Sequence, residues 1–147
     1  MSLTVYLSGE IHTDWREQIE QGAKDACLDI QFSRPVTDHA ASDAAGDLLG
    51  EEDKQFWRDH KSAKVNAIRI KTLIEQADVV VVRFGDKYKQ WNAAFDDAGY
   101  CAAMGTPYIT LHDEDIVHPL KEVDAAAMAW ATTPEQVVGV LKHVMRD

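Results

Sequence analysis

Four β-branched residues in a row, Val79-Val80-Val81-Val82, constrain this chain more than any other feature. A strand with one wet face alternates apolar and polar residues, whereas an unbroken apolar run suits a strand buried on both faces. The run predicts a central strand of a parallel sheet covered by helices on each side. A chain of 147 residues holds one such layered domain, spanning residues 1–147, with a sizeable core.

The rest of the chain supplies matching elements. Leu3-Thr4-Val5-Tyr6-Leu7 reads as a first strand, ended by Ser8-Gly9. Thr13 is placed to cap a first helix that carries Trp15, Ile19, Ala23 and Ala26 at helical spacing and runs to Cys27. Leu28 to Phe32 predicts a second strand. Residues 33–50, with Pro35, Gly46 and several Asp and Ser, read as loop. Residues 51–77 read as helix, broken near Lys61-Ser62, and lead into the valine run. Residues 85–91 read as loop. Asn92 caps a helix of small residues to Met104, closed by Gly105 and Pro107. Tyr108 to Leu111 is a fourth strand, and a short segment at Leu120–Val123 precedes a fifth at Ala127 to Ala131. Thr133-Pro134-Glu135-Gln136 has the cap, N1 proline and capping-box Gln that open a last helix. Alternating strands and helices, with right-handed crossovers, imply an α/β domain of flavodoxin-like (Rossmann-like) type. Its five-stranded parallel sheet would have the order 2-1-3-4-5, with helices on both faces.

Charge and composition exclude several functions. The formal net charge of −10 opposes binding to a nucleic-acid polymer, which needs clustered cations. The densest basic stretch, Lys61, Lys64, Arg69 and Lys71, is interleaved with apolar residues and reads as the solvated face of an amphipathic helix. No apolar run is long enough to span a membrane, and the first strand starts too early to leave room for a secretory leader. Cys27 and Cys101 are too few for a disulfide framework and read as buried free thiols, so cytoplasm is the expected location. No metal site is expected; His12, Asp14 and His39 are the only ligands worth checking.

In open α/β sheets, ligands bind at the carboxyl ends of the strands, where strand order reverses. The residues there are Ser8, Gly9, Glu10, His12 and Thr13 after the first strand, and Asp38 and His39 after the second. Arg83, Phe84, Gly85, Asp86, Trp91, Asn92, Asp96 and Asp97 follow the third, and His112, Asp113 and Glu114 the fourth. Gly9 would let a ligand approach the backbone, or would serve a tight turn. Asp96-Asp97 stands in a helix of small residues, about 100° apart, and offers a nucleophile, a general base or a surface acid. Ser8-Gly9-Glu10-Ile11-His12 is too acidic for a flavin phosphate loop, and Arg83 stands where a response regulator needs an aspartate. There is no GxGxxG or Walker loop.

The stretches Tyr6-Leu7-Ser8-Gly9-Glu10-Ile11-His12-Thr13-Asp14-Trp15-Arg16, Pro35-Val36-Thr37-Asp38-His39 and Phe84 through Asp96 resemble the YtoQ family over nearly the whole chain. More distantly, Tyr6-Leu7-Ser8-Gly9, Asp97-Ala98-Gly99-Tyr100-Cys101 and Gly105-Thr106-Pro107 are similar to motifs of nucleoside 2-deoxyribosyltransferases and related nucleotide N-glycosidases. The likeness implies glycosidic chemistry on a nucleoside or nucleotide. Asp97 would be the nucleophile (Asp96 if the doubled acid shifts the alignment), oriented by Tyr6. Asn92 would bind base or sugar, and Ser8, Gly9 and Glu10 would line the pocket, with His12, Asp38, His39, Gly85 and Trp91 nearby. It also implies a homo-oligomer, and no cofactor. The chain departs from the pattern in having aspartate for glutamate, one methylene shorter, and Trp91-Asn92 before the helix. Two other readings remain: a non-catalytic nucleotide sensor, and a small-metabolite hydrolase with His12 or His39 as general base.

Overall fold

A computed structural model describes residues 1–86 and 92–146 of the chain. Strands β1 (Leu3–Gly9), β2 (Ile30–Ser33), β3 (Val79–Arg83), β4 (Tyr108–Leu111) and β5 (Ala129–Ala131) form one sheet in the order β2-β1-β3-β4-β5. Every pairing is parallel, with Tyr6 opposite Val80 and Gly9 opposite Arg83. This is the order the sequence implies.

The valine run divides between the two faces. Val79 and Val81 pack with Val5, Leu7 and Ile109 under helices α1 (Trp15–Asp25) and α6 (Pro134–Val144). Val80 and Val82 pack with Tyr6, Ile74 and Tyr108, under α3 (Gln55–Gln76) and the helix that follows β3. All four valines are buried, and the absence of alternation follows from the second apolar layer. Because side chains alternate along a strand, Ser8 shares the face of Tyr6.

Several elements differ from expectation. Residues 33–50 hold a short helix α2 (His39–Asp43), capped by Asp38, whose Oδ1 accepts from the Ala41 amide at 2.7 Å, and a 3-10 turn, Ala45–Leu49. Helix α3 is unbroken through Lys61-Ser62. The Ser62 hydroxyl donates to the Asp43 carbonyl (2.7 Å) and accepts from the Gly46 amide (3.0 Å), so this serine fastens the 3-10 turn to α3. The 120–123 segment belongs to a helix, α5 (Lys121–Ala126). Thr13 does not cap α1; its hydroxyl donates to Glu10 Oε2 at 2.5 Å. Cys27 lies beyond α1, exposed and at φ 55°, whereas Cys101 is buried. At α6, Thr133 accepts from the Gln136 amide as expected, but Gln136 Oε1 accepts from Thr132 rather than from the cap residue. Among the described residues no helix is long and apolar enough to cross a membrane.

Candidate functional site

The helix after β3 opens with a π-helical turn, Ala93–Ala98, and continues as α4 (Gly99–Met104), ended by Gly105 at φ 77°. Asn92 has helical φ and ψ and makes no capping bond. A π turn inserts an extra residue and re-aims the side chains beside it, and such turns recur at functional sites. Here it carries both aspartates. Asp96 is exposed, while Asp97 is 7% exposed and accepts a hydrogen bond from the Ser8 hydroxyl on β1. Burial pushes the Asp97 carboxyl up to about 6; the Ser8 bond opposes this, the charge of Asp96 adds to it, and Arg16 opposes it.

Tyr6, on the same face, is fully buried, and its hydroxyl has no hydrogen-bond partner among the described residues. It therefore does not hold the Asp97 carboxylate; Ser8 does. Burial and the nearby Asp97 keep the Tyr6 phenol protonated well above its ordinary range. Burial, with Asp97, likewise pushes the Cys101 thiol up to about 12, which makes it a poor nucleophile.

The carboxyl end of β1 is held by Arg16, only 2% exposed. Its Nε donates to the Leu7 carbonyl at 2.9 Å, Nη1 to Glu10 at 2.6 Å and Nη2 to Gly9 at 3.0 Å, while its guanidinium sits 4.4 Å from the Trp15 ring centre. Gly9 has φ 106°, and a Cβ there would lie 2.1 Å from the Arg83 carbonyl oxygen. The room left by its missing side chain is thus filled by β3 backbone, not offered to a ligand.

Between β1, α3 and the π turn lies a cleft of about 520 Å³. It is at the β1/β3 switch point of the sheet, where such folds bind ligands. Tyr6, Gly9, Glu10, His12, His39, Asn92, Asp96 and Asp97 all line it. Ser8 reaches it through Asp97. Asp38 and Gly85 are not among its described lining; Asp38 caps α2 instead. Trp91 lies outside the described residues. His39 Nδ1 is 3.1 Å from Asp43 Oδ2, and its ring stacks on that of His12 with centroids 6.1 Å apart. Among the described residues no group of three His, Cys, Asp or Glu side chains converges to hold a metal ion.

A sequence model described as nucleoside 2-deoxyribosyltransferase YtoQ matches residues 6–145, nearly the whole chain. The chain belongs to the YtoQ family. It is 39% identical over 145 residues to the uncharacterized protein YtoQ of Bacillus subtilis (strain 168), covering 98% of this chain and 97% of that one. In fold it is similar to a 2-deoxyribosyltransferase from the psychrotolerant bacterium Bacillus psychrosaccharolyticus, with TM-score 0.58 and 16% identity over 92% of this chain and 90% of that one. It is also similar to the chemotaxis protein CheY4 of Vibrio cholerae, with TM-score 0.53 and 12% identity over 97% and 99%. At these identities the two structures speak for the fold.

Two parts of this YtoQ-family site escape the sequence reading. Arg16 stands three residues before Ile19, on the buried stripe of α1 with Trp15 and Ala23; a cation on an apolar face was the available signal. On α3, the stretch read as a solvated face sends Arg69 and Lys71 to line the cleft, with Asn66. Arg69 donates to the Arg34 carbonyl from Nε (3.3 Å) and Nη2 (3.0 Å). Helical spacing alone cannot reveal which flank of a long helix borders a cleft.

Proposed function

We propose that this protein breaks or transfers the N-glycosidic bond of a nucleoside or nucleotide, with Asp97 as nucleophile. The observation that carries the reading is the placement of Asp97: a nearly buried carboxylate, held by Ser8, at the floor of the switch-point cleft. The family description and the fold of a 2-deoxyribosyltransferase support the same chemistry.

In this mechanism an Asp97 oxygen bonds to C1′ while the C1′–N bond breaks, and its electron pair leaves with the base, which takes up a proton. The transition state has oxocarbenium character. Water or a second base then attacks C1′ and gives up a proton, which balances the one taken by the leaving base; the ester bond opens, and the carboxylate is restored. Burial that raises the carboxyl's pKa also strips water from the attacking oxygen. The Ser8 hydroxyl fixes its position, which matters because a displacement of ~1 Å can cost ~100-fold in rate. Tyr6 lies on the same face as that carboxylate, its hydroxyl buried and unpartnered among the described residues. Asn92 lines the cleft, and in this reading it binds base or sugar. A carboxylate double displacement draws on no metal or redox cofactor.

The test is turnover of a panel of nucleosides and 5′-nucleotides, with and without acceptor base, by wild type and Asp97→Ala. Base release by the wild type that Asp97→Ala abolishes supports the reading. Saturable binding of equal strength in both proteins, without turnover, would replace it with a nucleotide-binding module.

A further inference from the structure

The loop between β1 and α1 is where open α/β folds hold phosphate, on backbone amides at the entry to a helix. In this chain that position is already filled from within. The carboxylate of Glu10 accepts from the His12 amide, from the Thr13 amide at 2.8 Å and from the Thr13 hydroxyl at 2.5 Å. Glu10 is 7% exposed, and Arg16 grips its carbonyl at 2.6 Å, so both ends of the residue are fixed. A tethered carboxylate on three donors is a built-in anion.

The remaining charges of the cleft do not invite a second one. Asp43, Asp96 and Asp97 line it too. Asp59 adds to them, so the carboxylates outnumber Arg69, two of whose N–H groups go to the Arg34 carbonyl, and Lys71, whose ammonium lies 5.7 Å from the centre of the Tyr100 ring. Like charges brought together in a partly desolvated site discriminate strongly.

We infer that Glu10 is a specificity-determining residue that occupies the phosphate position of the fold, so that the cleft takes an uncharged nucleoside and rejects its 5′-monophosphate. The inference rests on the glycosidic reading above and narrows its substrate class.

Two measurements test it. The first is kcat/KM for 2′-deoxynucleosides and their 5′-monophosphates with wild type, Glu10→Gln and Glu10→Ala. Wild type is expected to favour the nucleoside by about 100-fold or more, and both variants to lose at least about tenfold of that preference. The second, independent of turnover, is the shift in melting temperature caused by millimolar inorganic phosphate. Phosphate is expected to stabilise Glu10→Ala and leave wild type unmoved. Wild type that uses or binds 5′-monophosphates as well as nucleosides overturns the inference, as do variants that keep full discrimination. Phosphate that stabilises wild type as strongly as Glu10→Ala, or stabilises neither, overturns it even if a variant is poorly active. Absence of any turnover, with the phosphate response intact, instead refutes the glycosidic reading and leaves Glu10 as the occupant of an anion position.

Discussion

The Ser8 hydroxyl on β1 donates to the Asp97 carboxylate on the π turn, joining the two elements that flank the sheet's switch point. The bond favours the ionised carboxylate against the burial that opposes it. Nucleophilic attack needs that ionised form, so kcat/KM should rise through about pH 6 as Asp97 titrates. Ser8→Ala should move this acid limb to higher pH and lower the plateau by about 10- to 100-fold. The pH–rate profiles of the two proteins check it, and an unmoved limb would remove Ser8 from the site.

The same carboxyl gives a stability prediction. Its folded value of about 6 lies above the ordinary 3.8, so between those values the folded chain holds a proton that the unfolded chain has released. Stability then falls as pH rises through this window, and the ionised group costs the folded state up to about 3 kcal/mol above it. Asp97→Asn should therefore be inactive yet more stable than wild type at pH 8, by up to about 3 kcal/mol, with the gap closing below about pH 4. Urea unfolding at both pH values measures it.

At Gly9, the positive φ and the 2.1 Å approach of a notional Cβ to the Arg83 carbonyl leave no room for a side chain. Gly9→Ala must both adopt a left-handed φ and push β1 from β3 where the Glu10 amide donates to Arg83 at 3.2 Å. A loss of about 3 kcal/mol follows, read as a lower urea midpoint. If Gly9 instead admitted ligand, stability would hold and only KM would rise.

How much was legible depended on the range of the forces involved. The valine run, the small-residue helix and the Thr133-Pro134 start each fix one local choice, and the alternation of strands and helices with right-handed crossovers implies the sheet order that the structure has. Tyr108–Leu111 is a strand with the predicted bounds. Helix α2 was hidden because five residues among Ser, Asp and Pro show no helical period. The break expected at Lys61-Ser62 is absent because Gly46 of the 3-10 turn and Asp43 of α2, sixteen and nineteen residues away, supply the serine's partners. Asp97 and Ser8 could be named singly, but their bond spans 89 positions and depends on a π turn that no spacing rule anticipates. Gly9 was ambiguous for the same reason: the atom that fills its space belongs to Arg83.

Arg16 provides the last prediction, because it grips the carbonyls on either side of Ser8. Burial lowers its own value to about 10, which still leaves it charged at neutral pH. That charge favours the ionised form of Asp97. Arg16→Met should take this donor from the Leu7 and Gly9 carbonyls, while Glu10 keeps the Trp15 indole N–H at 2.8 Å; it should cost about 3 kcal/mol and shift the acid limb of kcat/KM upward. Arg16→Lys keeps the charge but not the planar fork that reaches three acceptors at once. It should lose stability while holding the limb near its wild-type position. Thermal melts paired with pH–rate profiles separate the two effects. If both variants lose stability and neither moves the limb, Arg16 braces the β1 end without tuning Asp97.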